Sequence, residues 1–256
     1  MTVPAVTAVI PVYNHELAVP AVAAALRAQG LPVVLVDDGS SESCRLALER
    51  LVRETGDRLV RLPVNGGKGA AVIAGLREAL SQGYTHALQV DADGQHDLSD
   101  VPKFLAAARA EPDAVICGRP VFDASIPRVR FLSRYITHAL VWLQTLSFSR
   151  VRDSMCGFRL YPVNTVLEVV DVDGVGTRMD FDVELLVKLV WRGRTLRWLD
   201  TRVSYPTDGI SHFRMLYDNL RLAGMHVRLV LGMLWRSPVL IFRRVRGGGS
   251  SGTARG

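Results

Sequence analysis

Two carboxylates sit two residues apart in Val90-Asp91-Ala92-Asp93-Gly94-Gln95-His96. They follow Thr85-His86-Ala87-Leu88-Gln89, a mostly apolar run that reads as a buried strand. Paired aspartates repel each other unless a cation or a hydrogen-bond donor lies between them. A hard divalent cation, Mg²⁺ or Mn²⁺, meets that need. It takes oxygen ligands, uses one or two protein carboxylates, and completes its shell with phosphate oxygens and water. The spacing therefore predicts a metal-held diphosphate. The plainer reading is a polar turn, with Asp97, Ser99 and Asp100 capping a helix near Val101-Pro102.

Other polar groups recur where apolar runs stop. Val6-Thr7-Ala8-Val9-Ile10-Pro11-Val12 reads as a strand ending at Pro11, before Tyr13-Asn14-His15-Glu16. Val33-Val34-Leu35-Val36 ends in Asp37-Asp38-Gly39-Ser40, and a strand over 59–62 precedes Asn65-Gly66-Gly67-Lys68-Gly69. Helical patterns over 17–29, 43–54, 70–80 and 102–110 separate these strands, and Ala114-Val115-Ile116-Cys117-Gly118 makes a fifth. Strand and helix in alternation, with strands apolar throughout, predict a mostly parallel sheet covered by helices on both faces. Ligands bind such sheets at the carboxyl ends of the strands, which is where Tyr13-Asn14, Asp37 to Ser40 and Asp91 to Asp93 fall. The glycine-rich turn is not a P-loop, since no Ser or Thr follows Lys68. It either permits a tight connection or presents Lys68 and nearby N–H groups to an anion.

Beyond Arg119 the alternation weakens. Arg128, Arg130 and Arg134 precede an apolar stretch over 136–148; Asp153 to Tyr161, a helix over 181–191 and a strand over 197–203 follow. This half reads as an acceptor-binding region. From His212 a long helix carries Arg214, Arg221 and Arg228 seven residues apart, beside an apolar stripe of Leu216, Leu220, Ala223, Val227, Leu231 and Leu234. It reads as an interfacial membrane helix, or as a helix packed on the core with its basic face in water. Pro238 is expected to break it, and residues 247–256 to be disordered.

Composition narrows the partners. A hydrophobic share of 48% over 256 residues supports a full core, and a net charge of +6 favours nucleic acid, anionic membrane or phosphorylated ligands. No basic run with interleaved aromatics occurs in the first two hundred residues, which argues against nucleic acid. Cys44, Cys117 and Cys156 form no zinc spacing and suggest a reducing compartment. The N-terminus opens into a strand with no signal-like segment, and neither 135–149 nor 225–242, interrupted by Arg228 and Arg236, makes a convincing span. A cytoplasmic protein on the membrane's cytoplasmic face is expected.

Taken in order, Pro11-Val12-Tyr13-Asn14, Asp37-Asp38-Gly39-Ser40, Asn65-Gly66-Gly67-Lys68-Gly69-Ala70 and Asp91-Ala92-Asp93-Gly94-Gln95-His96 resemble glycosyltransferase family 2. Gly118-Arg119 and Cys156-Gly157-Phe158-Arg159 resemble its dolichyl- and polyprenyl-phosphate sugar synthase branch. The resemblance covers about residues 6–215. It implies a GT-A domain over 1–211, a basic amphipathic segment over 212–246, and inverting transfer from a UDP- or GDP-sugar to a lipid acceptor. It also implies that Pro11, Tyr13, Asn14, Asp38, Lys68, Asp91 and Ala92 contact the nucleotide, and that Asp91, Asp93 and Gln95 hold Mg²⁺ or Mn²⁺. Arg119 and Arg134 would meet an acceptor phosphate, and Arg202 and Ser211 would close over the donor. His15 and His212 depart from the family pattern.

A phosphate acceptor is already anionic and needs arginines more than a base. A hydroxyl acceptor, as in glycolipid or polysaccharide synthesis, needs a carboxylate, for which Asp153 is the candidate; Asp153 also reads as a turn-capping residue. A nucleotidyltransferase would carry a glycine- and arginine-rich loop after the first strand, which Tyr13-Asn14-His15-Glu16 is not. A non-catalytic nucleotide-sugar-binding module is the third alternative.

Overall fold

The computed structural model describes residues 3–122, 128–147, 151–203 and 215–247. Its elements run β1 (Val6–Val12), α1 (Val19–Arg27), β2 (Val33–Asp37), α2 (Glu42–Thr55), β3 (Arg58–Arg61), α3 (Lys68–Ser81), β4 (His86–Gln89) and α4 (Val101–Ala110). Then follow β5 (Val115–Phe122), α5 (Arg128–Thr145), β6 (Arg159–Pro162), α6 (Val163–Asp173), α7 (Phe181–Trp191), β7 (Leu196–Val203) and α8 (Met215–Gly247). The strands form one seven-stranded sheet in the order β3-β2-β1-β4-β6-β5-β7. All pairings are parallel except those of β6, which lies antiparallel between β4 and β5.

The apolar strands are buried because both faces are covered. Val9, Val34 and Val36 pack with α3, α6 and α7 on one side. Ala8, Ile10, Val33 and Leu35 pack with α1, α2 and α4 on the other. Adjacent strand residues alternate between these two cores, as the pleat requires. Gly75 lets α3 lie close to the sheet, since a Cβ there would be 2.3 Å from Val9 Cγ1. Ser41 caps α2 by accepting from the Cys44 N–H, and Gly56 ends it in the left-handed region at φ 76°.

β6 and α6 had no counterpart in the sequence reading. β6 carries Arg159 and Tyr161, both fully buried, so it lacks an apolar strand's signature.

Pro238 does not break α8, contrary to expectation: the helix spans 33 residues with Pro238 inside it. Proline removes the N–H that would reach the Leu234 carbonyl. Ser237 Oγ donates to that oxygen instead, at 2.9 Å.

The placement of α8's faces also differs from the core-packed alternative. Met225, Leu229, Met233 and Leu240 are buried, whereas Leu220, Val227, Leu231, Leu234 and Trp235 are exposed. Arg221 and Arg228 instead approach Asp180 and Glu184 at the start of α7, at 3.6 and 3.5 Å. The stripe formed by Leu220, Val227, Leu231 and Leu234 thus faces outward. Within this continuous helix, the 26 residues Asp218–Arg243 are long and apolar enough to cross a membrane by length and composition. Arg214, Ser211 and the tail from residue 248 lie outside the described residues.

Cys44, Cys117 and Cys156 are free and buried. Burial pushes the thiols of Cys117 and Cys156 up to about 12 and raises the Tyr161 phenol. The folded state therefore keeps these protons after the unfolded chain has lost them. Their contribution to stability is full below the unfolded thiol value of about 8.5 and falls as pH rises toward the folded value. The urea midpoint is expected to drop between about pH 8 and about pH 10.5, and to drop less in Cys117→Ala/Cys156→Ala.

Candidate active site

The strand order reverses direction at β1: the chain first builds outward to β2 and β3, then returns to place β4 on the other side. A crevice forms at the carboxyl ends of neighbouring strands at such a switch point. The loops that follow β1, β2, β3 and β4 meet there, and three sets of hydrogen bonds fix them.

The first set joins the β1 and β2 loops. Asn14 adopts φ +54°, a region that Asn tolerates better than most residues. Its N–H donates to Ser40 Oγ at 3.1 Å, and its Oδ1 accepts from the Ser41 N–H at 2.8 Å. Pro11, the last residue but one of β1, lies in register with Val36, and Tyr13 follows the strand directly.

The second set centres on Asp38. Its carboxylate accepts from the Gly66 N–H at 2.7 Å and the Gly67 N–H at 2.9 Å. Burial raises its pKa, against the lowering effect of those two donors. Gly39 lies close by at φ +65°, where a Cβ would fall 2.6 Å from the backbone of Val64 and Asn65. Arg178 braces the same turn, donating to Asn65 Oδ1 at 3.0 Å.

The third set surrounds Lys68, the first residue of α3. Its ammonium lies 2.7 Å from Asp91 Oδ1 and 2.9 Å from Asp182 Oδ2. Burial opposes the charged amine, but Asp182 and Asp91 outweigh it and hold the pKa above its ordinary value. Burial likewise opposes ionisation of Asp91, and Lys68 and His96 overcome it, so this carboxyl lies well below the usual range. Asp93 feels the same two cations more weakly. Burial and then the Asp91 charge raise its pKa, and its Oδ1 accepts the Gln95 N–H at 3.0 Å. Among the described residues Asp93 forms no salt bridge. Ala92 is buried between the two aspartates in sequence.

This donor set fits a hard divalent cation: the aspartates supply oxygen only, and His96, Lys68 and the Gln95 N–H offset the burial and the Asp91 charge at Asp93 only in part. Among the described residues, no group of three or more His, Cys, Asp or Glu side chains could cage a metal alone. A cation here would take its remaining oxygens from outside these side chains, from water or a bound phosphate.

Several residues of this centre were not read from the sequence. Asp182 begins α7, and Gln89 Nε2 donates to its Oδ1 at 3.1 Å. Tyr161 donates to Gln89 Oε1 at 3.2 Å, and Arg159 donates to the carbonyls of Asp182 and Ser154 at 2.8 and 2.9 Å. The signal that was available is Gln89, a polar side chain closing an apolar strand. In the Cys156-Gly157-Phe158-Arg159 motif, Phe158 stacks on His96 with ring centroids 5.1 Å apart. A Cβ on Gly157 would lie 2.5 Å from Lys68 Nζ and 2.9 Å from Asp91 Oδ2.

The remaining candidates lie toward β5 and β7. Arg119 on β5 donates to both oxygens of Asp200 at 2.5 and 2.6 Å, in an exposed pair. Arg134 on α5 and Asp153, two separate candidates, pair with each other, Arg134 Nε lying 2.6 Å from Asp153 Oδ2. Asp153 Oδ1 also accepts from the N–H groups of Met155 and Cys156 at 3.0 and 2.7 Å. Asp153 thus caps a turn, its alternative reading. Arg202 on β7 accepts at its carbonyl from the Asp97 N–H at 3.3 Å.

A mostly parallel sheet covered by helices on both faces, with paired aspartates beside its switch point, defines a doubly wound α/β protein. The model of glycosyl transferase family 2 matches residues 7–166, and the chain belongs to that family. It is a glycosyltransferase with the GT-A fold. It is similar to an undecaprenyl-phosphate mannosyltransferase of Micrococcus luteus, 27% identical over 197 residues, covering 75% of this chain and 80% of the relative. It is also similar to a polyprenol monophosphomannose synthase of Mycolicibacterium smegmatis, 24% identical over 221 residues, covering 84% and 82%. A glucosyl-3-phosphoglycerate synthase of Mycobacterium tuberculosis, solved with Mn²⁺, UDP and phosphoglyceric acid, shares the fold. The two align at a TM-score of 0.62 and 17% identity, over 91% of this chain and 78% of that one.

Gly157→Ala presses on the side-chain ends of Lys68, Asp91 and Gln89 rather than on backbone, so the fold should survive with its charge cluster displaced. Sugar transfer is expected to fall on the order of tenfold to a hundredfold. Activity assays beside thermal melts check this; unchanged activity would mean that the Lys68 position does not matter.

Proposed function

We propose that the chain transfers a sugar, with inversion, from a UDP- or GDP-sugar to a polyprenyl phosphate at the cytoplasmic face of a membrane, with Mg²⁺ or Mn²⁺ at Asp91 and Asp93. The observation that carries this reading is the aspartate pair at the switch point, whose oxygens leave a cation's shell open to water and a diphosphate. The Mn²⁺ and UDP of the mycobacterial synthase, and the lipid phosphates in the names of the two relatives, support it.

When bound, the metal ion supplies Lewis-acid neutralisation of the departing diphosphate. Asp91 and Asp93 would hold it, with Gln95 beside them. The loop of Tyr13 and Asn14 and the turn tied by Asp38 form the wall for the nucleoside, with the Lys68 ammonium beside it as a partner for phosphate. On the β5 side, Arg119 and Arg134 would orient the acceptor. The Arg119–Asp200 pair is exposed and of little energetic worth, so an incoming phosphate can take Asp200's place. Asp153 spends its oxygens on Arg134 and two backbone N–H groups, which makes it a poor base. A phosphate acceptor needs none, since its attacking oxygen is already an anion. The outward apolar stripe of α8 would lie in the interface, bringing the site to a lipid substrate.

The test is radiolabel transfer. Purified chain and Mn²⁺ are mixed with UDP- and GDP-sugars and an organic extract of membranes. Label is expected to enter the organic phase as a mild-acid-labile product, to fall by at least about a hundredfold in Asp93→Ala, and to vanish with chelator. Metal-dependent release of UDP or GDP without organic-phase label would keep the transferase and reject the lipid acceptor.

A further inference from the structure

Lys68 stands where a cation is electrostatically misplaced. It opens α3, and the first turn of a helix carries partial positive charge. The ammonium stays there because Asp91 and Asp182 hold it from two sides. These carboxylates are not equivalent. Asp182 is braced by Gln89, which Tyr161 braces in turn, all of them buried. Asp91 is the carboxylate proposed to hold the metal, and its other described contact is the 3.4 Å approach of His96 Nε2. An ammonium and a divalent ion drawn to one carboxylate repel each other, strongly so in a site shielded from water.

We propose that Lys68 is a built-in counter-cation of Asp91, which competes with the divalent ion so that the metal binds tightly only together with a nucleoside diphosphate. Asp182 is the tether: it keeps the ammonium when Asp91 is given up. A diphosphate arriving at the start of α3 offers Lys68 another anionic partner, and Asp91 is then open to the metal. Gly157 leaves the space in which Nζ lies, since any Cβ there would fall within 2.5 Å of it. The inference rests on the metal-dependent reading above.

Mn²⁺ binding followed by electron paramagnetic resonance tests it without turnover. The full chain is titrated alone, with UDP, and with GDP. Wild type should bind Mn²⁺ weakly alone and at least about tenfold tighter with one of the nucleotides, a coupling of ordinary size. Lys68→Met should bind Mn²⁺ alone at least about tenfold tighter than wild type, with smaller nucleotide dependence. Asp182→Asn should do the opposite and weaken Mn²⁺ binding alone about threefold or more, because the ammonium then belongs to Asp91. Circular dichroism confirms that each variant is folded; should Lys68→Met not fold, the sign of the Asp182→Asn change decides. If Lys68→Met binds Mn²⁺ no tighter, or both variants shift the same way, the competition is overturned while nucleotide-dependent Mn²⁺ binding preserves the metal reading. No Mn²⁺ binding by any protein under any condition overturns both.

Discussion

One half-buried ammonium between two carboxylates joins three segments at the centre of this molecule. Lys68 belongs to the glycine-rich turn, Asp91 to the end of β4, and Asp182 to the start of α7. Taking such charges out of water is costly, and only complete pairing offsets it. The consequences extend through the surroundings. Gln89 turns its amide to Asp182, Tyr161 serves Gln89, and Arg159 reaches the carbonyls of Asp182 in α7 and Ser154 in the loop before β6. β6 carries two of these residues, so its position between β4 and β5 serves the charge cluster as much as the sheet.

The antiparallel β6 also divides the carboxyl edge of the sheet. On one side, β1, β2, β3 and β4 carry loops tied to one another through Asn14, Asp38 and Lys68. On the other, β5 and β7 carry Arg119 and Asp200, held by a surface pair, and Arg202. Buried networks are rigid, and exposed pairs exchange partners easily. The division suits an enzyme that must grip a nucleotide in fixed geometry and receive a second substrate beside it.

Much of the fold was legible because its strands are buried on both faces. Val33 to Val36 is apolar without interruption and Val6 to Ile10 is broken only by Thr7, which is the mark of a covered parallel sheet. The motifs at their ends were legible for the same reason, since a polar run after such a strand has nowhere to go but the strand's carboxyl end. Asp182 was not legible. Gln89 lies 93 residues from it, and no periodicity links the two. Arg159 and Tyr161 disguised β6 because buried charge looks like surface in a sequence. Pro238 misled because the compensating hydroxyl belongs to its neighbour, Ser237. In α8 the two faces were visible, but the pattern does not say which one the protein keeps. Met225, Leu229, Met233 and Leu240 take the inner face, and Arg221 and Arg228 lie at its margin near Asp180 and Glu184.

That choice gives the free chain an awkward colloidal character. Leu220, Val227, Leu231, Leu234 and Trp235, the last 87% exposed, form an uncovered row on a long helix. Water disfavours a contiguous apolar strip of this kind, and whatever covers it first is favoured. Away from lipid, neighbouring chains are the nearest cover. Detergent or vesicles therefore set the aggregation state of the protein, and crowding of chains in plain buffer works against its solubility.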